Sequence, residues 1–157
     1  MKAICFTGHR KLPKNTEDLS QRLYEVLEEE IKDGAEDFYA GGAVGWDLIA
    51  SMTVIKLRKF YPDIKLHLVL PCPPQEQGAK WSEYERKEYE YIRAAADTLE
   101  QTSEHFTADC MKIRNVRLVE LSEKCFCYYD PKRIRSGTGQ TVRMAQRKGI
   151  EIVNFFY

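Results

Sequence analysis

Three polar turns carry the residues best suited to chemistry, and each falls where an apolar run ends and a helical pattern begins. Thr7-Gly8-His9-Arg10 follows Ile4-Cys5-Phe6. Gly41-Gly42-Ala43-Val44-Gly45-Trp46-Asp47 follows Phe38-Tyr39-Ala40. Ser136-Gly137-Thr138-Gly139-Gln140-Thr141 comes shortly after Phe126-Cys127-Tyr128-Tyr129, beyond a loop holding Lys132, Arg133 and Arg135. A helix N-terminus leaves N–H groups unpaired and carries partial positive charge. Glycine in such a turn lets a ligand reach the main chain, so the chemistry these turns suit is the binding of a phosphate.

Each residue admits more than one role. Arg10 can fork onto a phosphate or pair with a surface carboxylate as a solvated loop residue. His9 reads as a hydrogen-bonding or packing residue ahead of a general base. Gly41, Gly42 and Gly45 can form a nest of N–H groups or serve tight strand–helix packing. Asp47 can cap its helix, balance the helix dipole, take a ribose hydroxyl or act as a catalyst, with the structural and binding roles favoured over catalysis. Ser136, Thr138 and Thr141 supply three hydroxyls, more than capping alone uses. Arg114 and Asn115 fall in the first two turns of a further helix and face the same edge. Trp81 can stack on a base or staple onto its own helix.

Other chemistries are disfavoured by spacing. Gly137-x-Gly139 lacks the third glycine of a dinucleotide fingerprint and comes too late for the acidic residue that should follow. There is no Gly-Lys-Ser/Thr of a Walker A loop. His9, His67 and His105 show no ligand spacing with the cysteines or with each other, so no metal is expected.

The elements that must hold these turns alternate. Strand patterns cover 2–7, 37–40, 64–70, 97–101, 124–129 and 150–156, and helical patterns 16–33, 46–60, 82–96, 109–122 and 139–148. Thr16 is the expected cap and Gly34 the stop of the first helix. Ser82 with Glu85 forms a capping box. The repetition predicts an α/β, Rossmann-like, doubly wound and mainly parallel sheet with helices on both faces. Ligands of such sheets bind beyond the carboxyl ends of the strands. The long connections 71–81, 101–109 and 130–138 all follow strands and meet that edge.

With 157 residues the chain is expected to form a single domain over 1–157. Twenty-four Lys and Arg balance twenty-four Asp and Glu, which argues against coating nucleic acid by bulk charge but leaves room for a local basic site. No apolar run approaches the roughly 20 residues of a membrane span. Met1 runs straight into a strand pattern, and the five cysteines are scattered without a C-x-x-C pair. Both features point to a cytoplasmic protein with reduced thiols and no signal peptide.

Thr7-Gly8-His9-Arg10, Gly41-Gly42-Ala43-x-Gly45-x-Asp47, Leu70-Pro71-Cys72-Pro73, Lys80-Trp81 and Arg114-Asn115 together resemble the YpsA-like branch of the SLOG superfamily, in the family's order, from residue 3 to residue 153. The Gly41–Asp47, Arg114-Asn115 and Ser136–Thr141 stretches also resemble the DNA-processing protein DprA/Smf. In this chain Val116 and Arg117 replace the immediate second arginine of that family, and in DprA this region of the fold contacts single-stranded DNA. Met111-x-x-Arg114 resembles part of the motif of the LOG phosphoribohydrolases. Those enzymes also need a glutamate where this chain has Val142-Arg143.

The resemblance implies binding of a nucleotide or nucleotide-derived ligand, with Arg10, Arg114 and the Ser136–Thr141 turn on the phosphate. One alternative is an N-glycosidase using Asp47 or Glu83 in place of the missing glutamate. Another is a binder of single-stranded nucleic acid. Relatives pair through helices, so a homodimer follows by analogy.

Overall fold

The structure is a computed structural model that describes residues 2–157. Six strands form one sheet: β1 (Lys2–Gly8), β2 (Ala35–Ala40), β3 (Lys65–Leu70), β4 (Thr98–Gln101), β5 (Lys124–Tyr128) and β6 (Glu151–Asn154). Their spatial order is β4-β3-β2-β1-β5-β6, and every neighbouring pair is parallel. The helices are α1 (Glu17–Lys32), α2 (Trp46–Arg58), α3 (Pro74–Gln77), α4 (Glu83–Ala95), α5 (Cys110–Glu120) and α6 (Gly137–Lys148).

The alternation of side chains along β1 explains the two layers. Ile4 and Phe6 enter one core with Leu23 and Leu27 of α1, Trp46 and Val54 of α2, and Ile92 of α4. Cys5 points the other way, into a second core with Leu118 and Val119 of α5 and Val142 and Ala145 of α6. A strand covered on both faces must be apolar throughout, and that is why 4–6 reads as an unbroken run. All five cysteines are buried and free. Among the described residues no helix is long and apolar enough to cross a membrane.

Connectivity places the crevice. From β1 the chain steps outward through β2 and β3 to β4, with α1, α2 and α4 on one face. Helix α5 then crosses the opposite face to bring β5 down beside β1, and α6 follows on that face. Strand order therefore switches between β1 and β5, and the loops leaving two adjacent strands part at their carboxyl ends. Trp46 packs in the core beneath Gly8 there. Its indole Nε1 donates to the Phe126 carbonyl at 3.1 Å, and its side chain occupies the space a Cβ on Gly8 would need.

Local signals account for most helix ends. Glu85 N–H donates to Ser82 Oγ at 3.1 Å and Ser82 N–H to Glu85 Oε1 at 2.9 Å, so the capping box forms. Ser82→Ala should cost about 1 kcal/mol, checked by thermal unfolding; a change near zero would mean that α4 does not need this cap. Gly34, at φ +104°, stops α1 as expected. Thr16 does not cap α1 through its side chain. Its φ of −103° and ψ of 6° keep its hydroxyl away from the first-turn N–H groups, and Asn15 Oδ1 accepts the Glu17 N–H instead, at 3.0 Å. The short α3 has no counterpart in the sequence pattern. Pro74 at its first position starts a single turn inside a segment read as loop.

Candidate functional site

A crevice of about 380 Å³ opens at the switch. It is walled by the end of β1 with Thr7 to Lys11, by Ala43 and Asp47 at the start of α2, by Met111, Arg114, Asn115 and Leu118 of α5, and by Arg133 and Ser136–Thr138 before and in α6. The first turn, Asp47, the Arg114-Asn115 pair and the last turn therefore meet in one place.

The mouth gathers positive charge and free N–H groups. Ser136 caps α6 by accepting the Gly139 N–H at 3.0 Å, and its own hydroxyl donates to the Arg133 carbonyl at 2.8 Å. The N–H groups of Gly137 and Thr138 find no acceptor among the described residues, and the first turn of α6 holds no acid. Nothing of the protein lies within 4 Å of where a Cβ on Gly137 would stand. Arg10, Lys11 and Arg133 are exposed beside this end and make no salt bridge among the described residues. Of the three hydroxyls of the last turn, Ser136 is committed to capping and Thr141 donates back to the Gly137 carbonyl at 3.0 Å. Of the three, only Thr138 has a hydroxyl with no partner among the described residues, and the Thr7 hydroxyl across the crevice likewise has none among them. Both side chains are more than nine-tenths buried.

The back wall holds a buried acid, Asp47, and a buried base, Arg114. Asp47 is only 5% exposed, and its Oδ2 accepts one long hydrogen bond from the Ala43 N–H at 3.3 Å. Burial pushes its pKa up to about 6, against the pull of Arg114 and, more weakly, of Arg10. Arg114 is equally buried. Its Nη1 donates to the carbonyls of Gly41 at 2.6 Å and Val69 at 3.4 Å, and its Nε to Asn115 Oδ1 at 2.9 Å. The guanidinium thus ties α5 to the ends of β2 and β3 through Nη1, while Nη2 faces Met111 Sδ at 3.6 Å.

This changes the meaning of the second turn. The space above Gly41 is taken by the Arg114 guanidinium, that above Gly42 by the Tyr89 ring, and that above Gly45 by the Arg10 backbone. The expected close approach at these three glycines is made by the protein's own groups. Gly45, at φ +84°, also needs a conformation that other residues resist.

His9 is a positioning group. Its Nε2 accepts the Asp130 N–H at 2.9 Å, fastening the first turn to the loop after β5. Burial, then the nearby Arg133, lowers its pKa, which favours the neutral ring this acceptor role requires. Trp81 stands away from the crevice, edge-on to Tyr89 with centroids 5.1 Å apart, and so staples onto its own helix. Glu83 is also remote: its side chain is 80% exposed and pairs with Lys87 at 3.4 Å. Both belong to the α4 end of the β3–β4 side, whereas the crevice lies at β1 and β5. Sequence reasoning passed over Lys11, although its place directly after Arg10 was a visible signal, and over the apolar wall of Leu118.

A second groove, of about 480 Å³, lies between α1 and α2. It has Glu17, Glu88 and Lys56 on its walls and lies on the outer helical layer, away from the carboxyl ends of the strands. Of these two cavities the crevice is the one at the carboxyl ends of the strands, where open α/β sheets bind ligands.

The fold and this crevice define a Rossmann-like α/β domain of the doubly wound class, with its site at the strand-order switch. The YpsA family model, described as the YspA SLOG family, matches residues 5–154, and the chain belongs to that family. It is 28% identical over 165 residues to UPF0398 proteins of Bacillus thuringiensis (strain Al Hakam) and Bacillus cereus (strain AH187), covering 99% of this chain and 88% of theirs. Among solved structures it resembles DNA processing protein A from Helicobacter pylori, described by its single-stranded DNA binding mode. The TM-score is 0.68 at 18% identity, over 98% of this chain and 64% of that one. The likeness establishes a shared fold, and this chain spans less than two thirds of that protein.

Proposed function

We propose that the crevice binds a nucleotide or nucleotide-derived ligand through its phosphate. The observation that carries this reading is the start of α6, with two unpartnered N–H groups, no acid in its first turn and open space beside Gly137. Arg10 supplies the fork, and Lys11 and Arg133 add charge. Asp47 accepts a ligand hydroxyl from the back wall, with Arg114 holding that wall in place.

A panel of nucleotides tested by thermal shift decides the matter. A ligand at a hundred times its Kd adds about 2.7 kcal/mol of stability. Arg10→Ala should weaken binding about tenfold or more, the loss of a charged hydrogen bond, while leaving the Tm of the free protein unchanged. A wild-type protein stabilised by no member of the panel would remove the proposal.

A second reading draws on the exposed loop with Lys132, Arg133 and Arg135, and on the shared fold with a protein described as binding single-stranded DNA. Here the phosphate belongs to a strand of nucleic acid. Its affinity for an oligonucleotide should fall steeply with salt, each phosphate contact adding roughly 0.7 to the slope. No binding at low salt with micromolar protein would eliminate this reading.

A further inference from the structure

We propose that Thr98 is a nucleophile that takes an acyl group from an activated ester, with His67 as its base and Asp37 as the residue that positions that base. The three lie on the neighbouring strands β4, β3 and β2, away from the crevice between β1 and β5, and nothing about them depends on what binds there.

Strand register brings them together. Thr98 stands opposite His67 across β3 and β4, and His67 opposite Tyr39 across β2 and β3. Asp37, two residues before Tyr39, shares its face of the sheet. His67 Nε2 lies 2.7 Å from Asp37 Oδ1, and His67 Nδ1 lies 2.7 Å from Thr98 Oγ1. A carboxylate oxygen only accepts hydrogen bonds, so the proton of the neutral ring sits on Nε2. Nδ1 keeps its lone pair, and the Thr98 hydroxyl donates to it. A hydroxyl, a base and a carboxylate that fixes the tautomer of the base, in that order, are the parts that activate a weak nucleophile. The Tyr39 ring stacks on the imidazole, with centroids 4.5 Å apart and 22° between the planes, and holds it flat against the strand.

Exposure runs in the same order. The side chains of His67 and Asp37 are 15% and 24% exposed, whereas Thr98 is exposed on the edge strand of the sheet. A reagent therefore reaches the hydroxyl while the base behind it stays shielded. The edge also supplies a donor. The Asp97 N–H is spent on the Leu66 carbonyl of β3, at 2.8 Å. Successive N–H groups of a strand point to opposite sides, so that of Thr98 turns outward, where no further strand follows. The N–H of the nucleophile itself is one of the donors that hold the oxyanion in acyl transfer.

In the reaction the Thr98 oxygen attacks the acyl carbon and its proton passes to His67 Nδ1. The carbonyl electron pair moves onto its oxygen, then returns as the bond to the leaving oxygen breaks. The leaving group departs as its anion, the acyl group remains on Thr98 as an ester, and His67 gives its proton to solvent.

The intact protein treated with p-nitrophenyl acetate, then digested and mapped by mass spectrometry, tests this. The expected result is an acetyl ester on Thr98 that forms ahead of acetylation at surface lysines and is absent from Thr98→Val. His67→Gln retains a donor for Asp37 and an acceptor for Thr98 but takes up no proton, so labelling of Thr98 should slow about a hundredfold or more with the Tm unchanged. Should that variant lose Tm, Asp37→Asn takes its place, and labelling should slow about tenfold or more. Thr98 left unlabelled while lysines are acetylated would overturn the proposal. Labelling at the wild-type rate in His67→Gln or in Asp37→Asn would overturn it as well, since the hydroxyl would then react without its base.

Discussion

Arg114→Met is expected to lower the unfolding free energy by about 3 kcal/mol at pH 8, the result of leaving several buried acceptors without their charged donor. Methionine keeps much of the volume but none of the donors. The carbonyls of Gly41 and Val69 and the Asn115 Oδ1 lose their hydrogen bonds together. Asp47 loses the strongest of the forces that oppose its burial, so its folded-state pKa climbs further above about 6. A carboxylate whose folded pKa is raised loses its stabilising contribution as pH rises through that value. Wild type has completed this loss by about pH 7, whereas the variant continues to lose stability. The part of the deficit that comes from Asp47 should therefore develop above about pH 6, and the part from the carbonyls should be present at every pH. Urea unfolding between pH 5 and pH 8 separates the two. A variant within about 1 kcal/mol of wild type would mean that the guanidinium does not hold the strand ends.

Asp47→Asn is expected to act in the opposite direction. Asparagine resembles the protonated carboxyl, and the raised folded pKa of about 6 means that ionising Asp47 in the native protein costs stability. Stability is fully retained below the unfolded value near 4 and lost as pH rises to about 6. At pH 8 the amide should accordingly be more stable than wild type by about 3 kcal/mol, and the advantage should vanish below about pH 4. Ligand affinity should fall at the same time, since the amide nitrogen replaces one acceptor at the back wall. Gain of stability with loss of binding is the usual mark of a residue kept for function. If Asp47→Asn were less stable than wild type at pH 8, the ionised carboxylate would be a net structural asset to its arginine partners.

What the sequence reveals and what it conceals divide along a physical line. Apolar runs such as 4–6 and 125–128, and the Ser82–Glu85 box, act between near neighbours, so strand order apart, the layers and caps are visible in the chain itself. The start of α6 is legible for the same reason: glycine, hydroxyls and the absence of acid lie within six residues. Arg114 is different. On the sequence it reads as a helix-surface cation aimed at a ligand, yet it is drawn inward because Gly41, seventy-three positions away, leaves room for the guanidinium beneath a strand end. Neither residue announces the other until β2 and α5 come together. Thr141 misleads on a smaller scale. Its hydroxyl has a choice between a ligand and the carbonyl four residues back, and the helix claims it. Glu83 and Trp81 drop out of the site for a topological reason, since nothing local tells how far α4 starts from the β1–β5 switch.

The tryptophan beneath Gly8 has a consequence for the laboratory. Two indoles occur in the chain, one fully enclosed and hydrogen-bonded to the Phe126 carbonyl, the other half-buried beside Tyr89. The enclosed one packs beneath Gly8, which lines the crevice, and reaches both strands at the switch. With Trp81→Phe as the background, the remaining emission is an intrinsic optical reporter of the packing between β1 and β5, one layer beneath the crevice, with no label on the protein.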